Sequence, residues 1–332
     1  MTLRNTTTPQ ENFPTQTLSQ PSAPRRRQDL RRGTRPWWLL IAILTYVVGL
    51  GSGYGIWGRK ATSEQAAQAA PTEYAALLEQ INPREGYVLP VDFGDLGLQM
   101  MVAGVFDREQ FIQVYQQANQ PLTDNQMSML DGTHSGPVVM NSENAYFLLN
   151  FFWGLGLSNN NPVLDSGAIQ ESGQNGVEGF ASTGGWTLAT RPIKEIFSSS
   201  KHIVLTAEQQ GRLEEAAAAV YRPCCDNPTH FPDCNHGMAM LGLLELMASQ
   251  NASLDEMLEA AKYVNAFWYP QQTLEQAVYF QKTDGKAYQD VDASLILGRQ
   301  YSSQSGFKQI HQVLETNGWL PQAPSGGGSC GV

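Results

Sequence analysis

The chain is 332 residues long, 42% apolar and 16% charged, with a formal net charge of −10. That apolar content excludes a wholly disordered chain, and a mean hydropathy of −0.30 with only one long uncharged apolar run excludes a polytopic membrane protein. The acidic balance argues against a nucleic-acid partner, because a duplex binder needs basic surface to displace counterions.

The charge is divided along the chain. Residues 1–35 carry seven arginines against two acids, whereas residues 61–332 carry 12 basic against 29 acidic residues. Between them, residues 36–58 (PWWLLIAILTYVVGLGSGYGIWG) contain no charge. About 20 such residues in a helix cross a hydrocarbon core of roughly 30 Å. Trp37 and Trp38 mark one interface and Tyr54 and Trp57 the other. The arginine-rich flank predicts a cytoplasmic N-terminus, so that residues 61–332 lie outside the cytoplasm at the cell membrane. A cleaved signal peptide is the alternative, but the apolar run exceeds the usual 7–15-residue core and its leading tail is long. The pairs Gly49/Gly53 and Gly51/Gly55 would let two such helices approach closely and self-associate. The reading divides the chain into a disordered basic tail (1–35), a transmembrane helix (36–58), a stalk (59–71), a helical domain (72–320) and a flexible Gly-rich tail (321–332).

Within 72–320 the recurring signal is the capping box, in which a hydroxyl or carboxylate accepts from the third residue's N–H and a Gln or Glu reaches back. Asp107/Gln110, Thr123/Gln126, Thr206/Gln209, Ser253/Glu256 and Thr273/Gln276 all have this spacing. Strand signals are confined to Tyr87–Val91 and Pro137–Met140. The fold class expected is mostly α with a small hairpin. Residues 158–186, rich in Gly, Asn and Ser, read as one long loop. The last helix should stop near Thr316, before Gly318 and Pro321. LTDNQMSML at 122–130 and LTAEQQGRL at 205–213 each lead, through a loop with Thr-His, to an apolar helix opened by Asn144 or Asn235. Two similar helical hairpins, or an internal duplication, produce that pattern.

The chemistry concentrates in 221–240, YRPCCDNPTHFPDCNHGMAM, which holds three of the four cysteines and two of the five histidines. Three readings of this loop compete. Thiolate, imidazole and thioether together suit zinc or, with more sulfur, copper(I). The candidate ligands are Cys224, Cys225, His230, Cys234, His236 and Met238. A structural disulfide from Cys224 or Cys225 to Cys234 is the second reading, favoured by an oxidising compartment. It leaves one vicinal cysteine over, unless Cys330 takes it. The third is a reactive thiol, with Cys234 activated at a helix N-terminus and a histidine as base. Met240 and Met247 read as core filler, and His134, His202 and His311 as isolated surface or core residues. No nucleophile elbow, P-loop or HExxH is present. The sequence therefore points first to a membrane-anchored extracytoplasmic metal-binding protein. A surface interaction protein stapled by a disulfide and a thiol–disulfide oxidoreductase are the alternatives.

Overall fold

The computed structural model describes residues 72–172 and 176–321. The expected basic tail, transmembrane helix and stalk, and the C-terminal tail beyond Pro321, lie outside the described residues. Pro321 itself, expected to open the tail, is buried. No helix among the described residues is long and apolar enough to cross a membrane.

The described chain is mostly helical. In order, α1 (Thr72–Ile81), β1 (Tyr87–Leu89), α2 (Leu96–Val102), α3 (Arg108–Gln117), α4 (Asp124–Leu130) and β2 (Val138–Met140) precede a long apolar helix, α5 (Ala145–Ser158). Then come α6 (Ala207–Ala219), α7 (Asn235–Ser249), α8 (Leu254–Trp268), α9 (Pro270–Asp284) and α10 (Gln304–Thr316). The strands form one antiparallel pair, with Tyr87 opposite Met140 and Leu89 opposite Val138.

The caps explain most helix starts. Thr123, Ser253 and Thr206 each make both bonds of the capping box, opening α4, α8 and α6. Asp107 caps α3 on one side only: it accepts from the Gln110 N–H, but the Gln110 amide goes to the Thr187 carbonyl instead. Thr273 is not a cap, because α9 starts three residues earlier at Pro270. Proline at the first helical position has its φ preset and no N–H to leave unpaired. The terminus of α10 falls at Thr316, as expected, and Gly318 takes a left-handed φ of +67°.

Residues 158–186 depart from the expected loop. The segment folds into helical turns at Pro162–Asp165, Ala168–Ser172, Val177–Gly179 and Ala181–Gly184. Five of its polar residues turn inward: Ser158, Asn159, Asn161, Ser182 and Thr183 are all buried. Asn159 shows why, since its Oδ1 accepts from the Ile203 N–H and its Nδ2 donates to Glu245. The side chain supplies hydrogen bonds that the irregular backbone would otherwise lack.

Helices α5 and α7 are the centre of the core, and nearly every residue of each is buried. They cross at glycines. A Cβ on Gly156 would strike the Met238 carbonyl and Gly242, and one on Gly242 would strike the Phe152 carbonyl and Gly156. This close crossing sets the N-terminal half of α7, which Cys234 caps, directly against α5. Aromatic rings fill the space beyond, with Phe93 stacked on Phe151 at 4.6 Å.

Candidate metal centre

The 220–234 loop is a hairpin of backbone pinned at its base. Thr229 N–H bonds back to the Val220 carbonyl and His230 N–H to the Ala217 carbonyl, so the loop returns to the end of α6. Asn265 of α8 donates to the Tyr221 carbonyl, and Ser182 N–H donates to the Asp233 carbonyl. Pro228 and Pro232 sit in the bend, where helical continuation is disfavoured.

This folding brings three sulfurs together. One ligand atom each from Cys224, Cys225 and Cys234 lies within 4.8 Å of the other two, the only such group of His, Cys, Asp or Glu among the described residues. All three cysteines are free, and Cys224 Sγ stands 3.4 Å from Cys234 Sγ. A metal–thiolate bond of about 2.3 Å puts the sulfurs of a mononuclear site about 3.8 Å apart, so little movement is needed for all three to bind one ion. The cluster can therefore hold a metal ion.

Cys234 is the N-cap of α7. Its sulfur accepts from the Gly237 N–H at 3.4 Å and from Arg222 Nε at 3.0 Å. Arg222 is the residue that sequence reasoning passed over. It is 1% exposed, and its remaining donors go to the Asn227 carbonyl (3.1 Å), the Phe231 carbonyl (3.4 Å) and Asp233 Oδ1 (2.9 Å). Asn227 in turn donates to the other Asp233 oxygen at 2.8 Å. Gly237 is required here, because a Cβ at that position would overlap the Arg222 guanidinium. The signal was present as an arginine beside the vicinal cysteines, but only folding shows that its cation is buried beneath them.

The electrostatics are divided unequally among the thiols. Bonds from Cys224 and Cys225, with Arg222 adding to them, hold Cys234 well below the ordinary thiol range despite its burial. Cys224 is pushed up, because it donates to its neighbours and is buried. The bond from Cys224 pulls Cys225 down, but donation to Cys234 and burial outweigh it and raise the group to about 11. Tyr269, at the N-cap of α9, donates its buried hydroxyl to Cys224 Sγ at 3.1 Å. Burial, and then the nearby sulfurs, push that phenol up. Tyr269 was also missed, being 45 residues from Cys224 in the chain.

The expected histidine ligands do not join the sulfur group. His236 is buried, its Nδ1 lies 2.8 Å from Asn235 Oδ1, and its ring packs on Tyr269 (centroids 4.6 Å) and edge-on to Trp268 (5.7 Å). Burial lowers it to about 4, partly opposed by the Cys234 thiolate, so the ring is neutral at pH 7. His230 is half-buried beyond the cluster, and Met238 is fully buried in the core. His311 pairs with Glu275 Oε2 at 2.8 Å, far along the chain from the loop. His134 and His202 each have a buried Nε2 without a partner among the described residues. Cys330 lies outside the described residues.

No protein-family model, curated protein or solved structure matches this chain. The site itself carries the functional argument.

Proposed function

We propose that this protein is a membrane-anchored, extracytoplasmic metal-binding protein whose centre is Cys224, Cys225 and Cys234, taking copper or zinc. The gathering of three sulfurs within 4.8 Å carries the reading. An all-sulfur set favours soft ions, and three thiolates complete the coordination of copper(I). Zinc requires a fourth ligand, which no other described His, Cys, Asp or Glu side chain brings to the three sulfurs, so a water or an added ligand would have to supply it. The reading does not call on His230 or Met238. Arg222, hydrogen-bonded to Cys234, offsets the excess negative charge that a tri-thiolate complex carries.

The test is metal uptake by the full chain, purified reduced and anaerobically in detergent and titrated with Cu(I) and with Zn(II). One ion per chain is expected. Cys234→Ser should abolish stoichiometric binding, and His311→Ala should leave it intact because His311 serves Glu275. Uptake of neither ion by the wild-type chain defeats the reading. A second reading rests on the 3.4 Å separation of Cys224 and Cys234 with one sulfur held as thiolate, the arrangement of a dithiol that exchanges with disulfides. Rapid oxidation of this pair by a disulfide reagent, with no metal retained, would favour it.

The membrane anchor and the orientation rest on the apolar run at 36–58 and its arginine-rich N-terminal flank. Protease added to intact cells should digest the helical domain and spare the N-terminal tail; a protected domain would reverse the orientation.

A further inference from the structure

We propose that the three sulfurs are unequal, Cys224 and Cys234 anchoring the ion and Cys225 acting as the exchangeable ligand through which the ion enters and leaves. This rests on the metal-binding reading above. Each anchor is held by rigid, buried structure. Cys234 Sγ receives the Arg222 Nε–H and the Gly237 N–H at the start of α7, whose crossing with α5 is so close that it has no room for a Cβ at Gly156 or Gly242. Cys224 Sγ receives the hydroxyl of Tyr269, which is itself buried at the junction of α8 and α9.

Cys225 differs in three respects. It is the least enclosed of the three, and Cys234 the most. Its contacts with Asn227 and Asp233 are long, 3.8 Å to the Asn227 carbonyl and 3.7 Å to Asp233 Oδ1, and its thiol acts as donor in both. A metal-bound thiolate has no proton to donate, so binding gives up both contacts, whereas Cys234 keeps those from Arg222 and Gly237 and Cys224 keeps that from Tyr269, because there the sulfur accepts. Finally, its backbone is held from outside the loop, while outside the sulfur group its thiol makes only those two long contacts. The Cys225 carbonyl accepts from Gln304 N–H at 2.9 Å, and the adjoining Asp226 Oδ1 accepts from Ser305 N–H at 2.7 Å. The side chain can swing from a stationary pivot without disturbing the anchors.

The exchange is a substitution without redox change. An incoming soft donor forms one bond to the ion, the Cys225–metal bond breaks, and Cys225 leaves as a thiolate that takes a proton from water. The two anchor bonds persist until a second donor arrives. A site built this way is suited to passing its ion on rather than to storing it.

The experiment uses the full chain in detergent, loaded anaerobically with Cu(I) and separately with Zn(II). Release is followed to bicinchoninate for copper and to 4-(2-pyridylazo)resorcinol for zinc. Cys225→Ser is expected to keep one ion per chain but to release it at least tenfold faster, since the donor then attacks an already open position. Cys224→Ser and Cys234→Ser are expected to lose stoichiometric loading, with unchanged far-ultraviolet circular dichroism showing that they fold. Loss of loading in Cys225→Ser equal to that of the other two would make Cys225 an anchor and overturn the proposal. An unchanged release rate would show that Cys225 is not a ligand and overturn it equally. Failure of the wild-type chain to load either ion defeats the metal reading itself, an outcome distinct from both.

Discussion

Arg222→Met will destabilise the helical domain by about 3–5 kcal/mol, the range seen when one partner of a buried charged pair is removed. The guanidinium is 1% exposed and makes four hydrogen bonds, two of them to groups bearing negative charge. Methionine fills most of the volume but leaves Asp233 and Cys234 without their cation, and takes one donor from each of two carbonyls, of which Phe231 keeps the Asp233 N–H and Asn227 the Cys225 thiol. The effect should be visible in urea unfolding as a lower midpoint with an unchanged slope. The metal-loaded and metal-free proteins should both show it. Arg108, whose pairing with Asp131 at 2.6 Å is more than a third exposed on each side, provides the contrast. Arg108→Met should cost no more than about 1 kcal/mol, as exposed ion pairs do. Equal effects at the two positions would mean that the Arg222 cluster is solvated in solution and does not hold the loop.

Glu245→Gln will stabilise the protein at neutral and alkaline pH. Glu245 lies in the middle of α7 with no exposure, its Oε2 bonded to Asn159 Nδ2 at 3.2 Å and its Oε1 without a partner among the described residues. Burial raises its pKa well above the ordinary value of 4.5, and the amides of Asn159 and Asn161 only partly oppose that. The sign follows from proton counting. The folded state keeps the proton at a pH where the unfolded chain has released it, so stability from this group is full below about pH 4 and is lost as pH rises toward the folded pKa. The loss is about 1.4 kcal/mol per pH unit across that window. Glutamine carries no such cost, so the two proteins should be similar near pH 4 and diverge steadily above it. Urea unfolding of both at pH 4, 6 and 8 measures this. A difference that stays constant with pH would show that the carboxylate is ionised inside the fold.

Local chemistry was legible in the sequence wherever one residue satisfies its near neighbours. The boxes at Thr123, Thr206 and Ser253 form as their spacing implies, because a cap needs only four consecutive residues. Thr273 has the same spacing and fails, because Pro270 starts the helix first and leaves Thr273 in its interior. The two short strands were legible as segments, but the expected hairpin is instead a long-range pair with three helices between its strands, and the fold of residues 158–186 was not legible. Their helical turns have little periodicity of their own and depend on distant partners, as Asn159 does on Ile203 and Glu245.

The candidate site divides in the same way. Cys224, Cys225 and Cys234 fall within eleven consecutive residues, so a single loop bent by two prolines suffices to gather their sulfurs, and the sequence by itself marked this loop as the place where the cysteines cluster. It also determined the helical class and the start of α7 at Asn235. Tertiary structure alone decided that His230 stays apart from the sulfurs, and that Arg222 passes beneath them into space left by Gly237. It also decided that Tyr269, from the far end of α8, binds Cys224. The physical reason is range. Caps and loop closure are settled by neighbours along the chain, but which charge lies beneath a sulfur, and which face of it is open, depends on how α5, α7 and α8 pack around it.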